Sequence, residues 1–240
     1  MDRIIVIGDV HGCYFELVAL LDEIGACQDD RLVFVGDLIT KGPANREVVE
    51  FFQHRRNCES VLGNHEYLLL QHYRGRTVEL EPTHRQAIAD LGTNFGDFME
   101  LVSKFPLYMD LGEFLIVHAG IRLGQPIDKQ RVEDLTQLRT LNGEGSEAGT
   151  PWFERYRGKK IVIFGHWVFD APVVRKNAVG IDTGCVTAVA SRQLSFLIAV
   201  WLASRRSSLT LTRKDATHVF RNENVWQASF PWPPIHRRRD

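Results

Sequence analysis

Five short blocks in this 240-residue chain carry side chains that can bind metals or move protons, and each follows a short strand-like run. Gly8-Asp9-Val10-His11-Gly12 follows residues 3–7, and Gly36-Asp37 follows residues 31–35. Gly63-Asn64-His65-Glu66 ends the run at 59–62, His118-Ala119-Gly120 the run at 114–117, and Gly165-His166 the run at 161–164. Carboxylates, imidazoles and one amide oxygen form a mixed oxygen and nitrogen set. Such a set suits manganese, iron or zinc better than magnesium alone or a soft thiolate-binding ion. Asp37 is the candidate bridge between two ions, because a carboxylate has two oxygens. Two ions about 3.5–4 Å apart activate water and steady both the attacking and the leaving oxygens of an in-line displacement. That chemistry is hydrolysis of a phosphate ester or anhydride.

The blocks need a scaffold that gathers them. Residues 3–7, 31–35 and 59–62 read as short strands, and each ends in glycine. Helical spacing at Leu17, Leu20, Leu21 and Ile24, then over 45–52 and 65–73, supplies helix-length crossovers. This β-α-β-α-β order implies parallel strands with right-handed connections, whose sites form beyond the carboxyl ends of the strands. Residues 83–105 read as helix with breaks, and strands return at 114–117, 161–164, 178–181 and 196–201. Residues 142–151 are glycine-rich and read as a loop. Taken singly, an Asp or His at a strand end is an ordinary turn or cap residue. Five such blocks, each after its own strand, specify one site.

Composition sets limits. Hydrophobic residues make up 44% and charged residues 25%, with a net charge of −1, as in an ordinary soluble protein. Such a balance gives no general attraction to nucleic acid or anionic membrane. The longest apolar run, residues 194–203, is far shorter than the roughly 18 residues of a membrane span. The start lacks the plan of a signal peptide, and the four cysteines have no CxxC pair, so a cytoplasmic protein with free thiols is expected. His54, His72, His84, His218 and His236 sit in polar stretches and read as surface residues. The tail has Arg205-Arg206, Arg213-Lys214 and Arg237-Arg238-Arg239 near Trp226 and Trp232. Charge with aromatics can bind single-stranded nucleic acid, but a solvated tail is the favoured reading.

The blocks resemble those of the phosphoprotein phosphatase branch of the calcineurin-like metallophosphoesterases: GDxHG, GDxxDRG and GNHE, then two later histidines. The resemblance covers about residues 3–200. It implies an α/β fold with a central β-sandwich flanked by helices, four layers α/β/β/α, with a dimetal site at one edge. The expected division is a metallophosphoesterase domain at 1–204 and a basic, partly irregular extension at 205–240. By resemblance, Asp9 and His11 bind the first metal, Asp37 bridges, and Asn64, His118 and His166 complete the second. His65 becomes the general acid. The expected cofactors are two divalent transition-metal ions, manganese first, with iron, zinc, cobalt or nickel as alternatives. Arg139 resembles the family's phosphate-clamping arginine, although alone it reads equally as a solvated helix residue.

Two departures stand in the second block. Thr40 replaces the aspartate that partners the catalytic histidine in protein phosphatases, and Lys41 replaces a phosphate-binding arginine. Lysine keeps the charge but not the bidentate fork. Symmetrical diadenosine tetraphosphatases also lack that aspartate. With the stretches around His118, His166 and Asp182-Thr183-Gly184-Cys185, the chain looks like that bacterial subgroup and the lambda phage phosphatase. The expected substrate is therefore a dinucleoside polyphosphate. A phosphoprotein is the alternative, and a catalytically weak metal-binding module the second. Beyond Cys185 the family's glycine pair is missing, and a turn displaced to Ser191-Arg192-Gln193 is one way to rebuild that edge.

Overall fold

The computed structural model describes residues 3–144 and 147–186, and the backbone of three later strands at 199–203, 208–213 and 216–221. Strands β1 (Ile4–Ile7), β2 (Arg31–Phe34) and β3 (Cys58–Ser60) alternate with helices α1 (Tyr14–Glu23), α2 (Asn45–His54) and α3 (Asn64–Tyr73). The segment expected to be broken helix forms α4 (Pro82–Leu91) and α5 (Asn94–Val102). Then come β4 (Tyr108–Leu111), β5 (Phe114–Val117), α6 (Val132–Gln137), β6 (Leu138–Thr140), β7 (Gly143–Glu144) and α7 (Trp152–Arg155). The chain continues with β8 (Ile161–Phe164), β9 (Val173–Arg175), β10 (Ala178–Gly180), β11 (Ala199–Ala203), β12 (Ser208–Arg213) and β13 (Ala216–Arg221).

The strands form two large sheets. One has the order β13-β12-β11-β1-β2-β3 and the other β4-β5-β8-β10-β9. In the first sheet β1, β2 and β3 run parallel, and β11 joins β1 antiparallel. The segment beyond residue 204 contributes β12 and β13, which continue this sheet as antiparallel neighbours. The loop expected at 142–151 includes β7, which pairs with β6. Ser191-Arg192-Gln193 and the tail beyond residue 221 lie outside the described residues.

Alternation along the strands builds the layers. Val6, Val33, Val35 and Val61 turn inward and meet Phe114, Ile116, Ile161, Ile163 and Val179 of the second sheet. The intervening Ile5, Ile7, Leu32 and Phe34 face outward and pack with Leu17, Leu21, Val49, Phe52 and Leu69 of the helices. Across the second sheet, Leu115, Val117, Val162 and Phe164 pack with Leu135, Trp152 and Phe153. The result is helix, sheet, sheet, helix. Apart from Phe114, these inner-layer residues are compact and β-branched, where two sheets must approach to about 10 Å.

A half-buried ion pair fastens the start of β1. The Arg3 guanidinium donates to both Asp30 oxygens, at 2.7 and 2.5 Å, and to the Ile24 and Gly25 carbonyls. The Arg3 hydrogen bond holds the Asp30 carboxyl down at about 2. The pair's contribution is therefore complete above the ordinary carboxylate pKa near 4 and fades as pH falls from about 4 to about 2. Arg3→Ala should cost about 1–2 kcal/mol at neutral pH, and the gap to wild type should narrow as pH falls from about 4 to about 2, keeping only the share of the Ile24 and Gly25 carbonyls. Urea unfolding at both pH values checks this. A gap that stays constant with pH would remove the pair from the account.

Candidate metal centre

The carboxyl ends of β1, β2, β5 and β8, with the N-terminus of α3, meet at one edge of the sandwich. There Asp9, His11, Asp37, His65 and His118 are buried, with Asn64 and His166 half-buried. The loops are pinned to one another. The Asp37 carbonyl accepts from the Val10 and His11 amides, and the Leu38 carbonyl from Gly12. Gly165 N–H donates to the His118 carbonyl at 2.8 Å. A side chain at Gly165 would overlap Asp9 Oδ1, and one at Gly63 would overlap Asp37, so glycine permits these close approaches.

Every non-glycine residue with positive φ among the described residues lies here: His11 (47°), Asp37 (52°), Thr40 (79°), Lys41 (61°) and His166 (67°). Such conformations are uncommon for residues with a Cβ and collect where surrounding contacts enforce a functional geometry. Asn45 supplies part of that force. Its amide accepts from Thr40 N–H at 2.8 Å and donates to the Gly42 carbonyl and to Asp90 on α4.

The rings are oriented from behind. His118 Nδ1 meets the Val35 carbonyl at 2.7 Å, so Nδ1 carries the proton and Nε2 presents its lone pair. That lone pair faces Asn64 Oδ1 at 2.8 Å and Asp37 Oδ2 at 3.5 Å. His11 Nδ1 likewise meets the Ile39 carbonyl at 3.2 Å, leaving Nε2 toward Asp37 Oδ2 at 3.4 Å. His166 Nδ1 lies 2.9 Å from Asn64 Oδ1, while its Nε2 and Asp9 Oδ1 are buried without a partner. At His118 Nε2 an acceptor therefore faces the acceptors Asn64 Oδ1 and Asp37 Oδ2, a repulsive arrangement that a cation makes favourable. Back-side hydrogen bonds of this kind fix metal-ligating histidines. Two overlapping groups can each hold an ion: His11 with Asp37 and His65, and Asp37 with His118 and His166. The donor set fits a pair of divalent metals sharing Asp37.

Charge agrees with geometry. Burial pushes the Asp37 carboxyl up, but His118, His65, His11 and Lys41 outweigh it and hold the group well below its usual range. Burial, then the charges of Asp182 and Asp37, pushes Asp9 well above its usual value. Burial also lifts Asp182 to about 6. Desolvation lowers His11 to about 4 and His65 to about 3. Burial thus penalises the charges of Asp9 and Asp182, and a bound cation would offset that penalty.

Lys41 places Nζ 3.0 Å from His11 Nε2. Arg139 stands on strand β6 rather than on a helix, because residue 138 already leaves helical geometry. Its guanidinium reaches the His166 carbonyl at 3.4 Å and Glu147 at 3.1 Å, which puts it at the rim of the site. His84 is a correction. It was expected at the surface, but it is 2% exposed, with Nε2 2.9 Å from His65 Nδ1. The signal was present: Ala87 and Leu91, also buried, follow His84 at helical spacing. Glu66 and Asp182 also belong to the site although neither had an assigned role. Glu66 accepts from the amides of Asp37, Leu38 and Ile39 at 2.8, 2.9 and 3.3 Å.

Sandwiched sheets with a cluster of metal-ligating groups at their strand ends define a class of metal-dependent hydrolases. Residues 2–187 match the family model of the calcineurin-like phosphoesterases, and the chain belongs to that family. Among curated proteins it is similar to bis(5'-nucleosyl)-tetraphosphatase PrpE (asymmetrical) of Halalkalibacterium halodurans, 34% identical over 80% of this chain and 89% of the relative. The enzyme of that name from Bacillus subtilis is 33% identical over 75% and 85% of the two chains. A crystal structure described provisionally as a diadenosine tetraphosphatase superposes with a TM-score of 0.67 at 25% identity, covering 93% of this chain and 95% of that one. A cold-active protein-tyrosine phosphatase from Shewanella shares the fold, with a TM-score of 0.63 at 16% identity over 91% and 80% of the chains. No helix among the described residues is long and apolar enough to cross a membrane.

Proposed function

We propose that the chain hydrolyses dinucleoside polyphosphates with two divalent metals, manganese first among them. Asp9 and His11 would hold one ion, Asn64, His118 and His166 the other, and Asp37 would be shared between them. The observation that carries this is the convergence of the His11 and His118 Nε2 lone pairs on Asp37 Oδ2, with Asn64 Oδ1 between the His118 and His166 rings. When bound, the metals supply Lewis acidity and lower the pKa of coordinated water. His65 presents Nε2 3.9 Å from Asp37 Oδ2 and is the proton donor to the departing oxygen. Lys41 and Arg139 meet phosphate oxygens at the rim. Water adds to one phosphorus as the bond from that phosphorus to the bridging oxygen breaks; His65 gives its proton to the leaving oxygen, and a proton from the attacking water restores His65.

The surroundings of His65 support an anhydride substrate. At Nδ1 it meets Thr40 Oγ1 at 3.0 Å and His84, and neither is a carboxylate that would stabilise an imidazolium. A leaving phosphate needs less help from a proton than a serine alkoxide does. The curated relatives are named for an asymmetrical split, which supports that regiochemistry for this chain over the symmetrical one. With manganese-loaded protein and diadenosine tetraphosphate, ATP and AMP should appear in equal amounts, with slower turnover of a phosphoserine peptide. Chromatography of the nucleotides reads the split. Two ADP would reverse the regiochemistry, and turnover of the peptide alone would overturn the substrate class.

A further inference from the structure

We propose that His84 is a positioning residue for His65, standing where the family's aspartate partner is missing; the inference rests on reading His65 as the proton donor. His84 Nε2 approaches His65 Nδ1 to 2.9 Å, with the two rings nearly parallel, 19° apart, and their centroids 4.8 Å apart. Thr40 Oγ1 reaches the same nitrogen at 3.0 Å and also His11 Nδ1 at 3.3 Å. His65 Nδ1 is thereby held on the side away from the site, and Nε2 is turned toward Asp37.

The tautomer follows from what His84 lacks. Its Nδ1 is buried without a partner. An orphaned N–H is rarer in folded proteins than an under-used acceptor. The His84 proton therefore sits on Nε2 and is donated to His65 Nδ1. This leaves the proton of His65 on Nε2, the nitrogen that faces the reacting groups. Helix α4 keeps the donor in place. Ala87 and Leu91 bury the face that His84 shares, and Asp90 is tied to Asn45, whose amide also fixes the backbone of Thr40. One brace thus sets both neighbours of the His65 ring.

Leaving-group dependence separates positioning of an acid from a structural role. The full chain, loaded with manganese, is assayed as wild type, His65→Ala, His84→Ala and His84→Gln on p-nitrophenyl phosphate and on phenyl phosphate. The nitrophenolate departs without a proton more readily than phenolate. His84→Ala should lose at least about tenfold more kcat on phenyl phosphate than on p-nitrophenyl phosphate, with KM values moving little. His84→Gln, whose amide nitrogen can donate from a similar place, should recover most of the difference. Manganese stoichiometry by titration calorimetry should match wild type. In metal-free protein, long-range proton–nitrogen spectra should place the His65 proton on Nε2 in wild type and on a mixture of nitrogens in His84→Ala. Equal losses on both esters, no recovery in His84→Gln or lost manganese binding would overturn the proposal. A flat leaving-group response in His65→Ala would instead remove the acid reading on which it rests.

Discussion

Asp37→Asn should lower turnover of diadenosine tetraphosphate by about a thousandfold or more, equivalent to about 4 kcal/mol of transition-state stabilisation. Asp37 Oδ2 lies within 3.4, 3.5 and 3.9 Å of Nε2 on His11, His118 and His65. The carboxylate is the anion common to both candidate ion sites. Asparagine keeps one acceptor for the His65 amide, which Asp37 Oδ1 receives at 3.1 Å. It removes the charge and the second oxygen that a shared ligand needs. The fold should survive, because asparagine keeps the volume and the Oδ1 acceptor, and the attraction it loses from His118, His65 and His11 is offset in part by relieved repulsion from the buried Asp9, Glu66 and Asp182. Steady-state kinetics with thermal unfolding of metal-free protein reads both effects. Turnover within tenfold of wild type would mean that Asp37 does not bridge.

The largest loss of stability is expected from Glu66→Ala. Glu66 is fully buried, and its two oxygens accept three consecutive amides in the loop that carries Asp37. Burial, then the charge of Asp37, raises its carboxyl to about 8. Truncation leaves those amides buried and unpaired in a loop already held at positive φ at Asp37. An unsatisfied buried donor costs about 1–3 kcal/mol. Allowing for relaxation, the total should be about 3–5 kcal/mol, a fall in Tm on the order of 10 °C for a chain of this size. Glu66→Gln, with one carbonyl acceptor left, should fall between. Denaturant unfolding checks the order. A loss below about 1 kcal/mol for the alanine variant would show that water or another group satisfies the loop.

Much of the site could be read from residue order, because each block follows its own strand. Residue type and a glycine turn were enough to place Asp9, His11, Asp37, Asn64, His65, His118 and His166 together. The division into two sheets was not legible in the same way. Alternation in β1 and β2 is apolar on both faces, so the pattern states burial without stating which layer lies on which side. Knowledge of the fold came from resemblance. Short elements such as β6, β7, β9 and α7 were missed because two to four residues carry no measurable period. His84 was misplaced because its polar neighbours outweighed the helical spacing to Ala87 and Leu91. Its partner lies 19 residues away in the chain, and local pattern does not register such contacts.

Titration of manganese into metal-free protein, while following hydrolysis of diadenosine tetraphosphate, tests the central claim most directly. Turnover should be absent without metal, rise with added ions and saturate at two per chain. Hydrolysis that persists in chelator, or a saturated protein that leaves the dinucleotide intact, would contradict it.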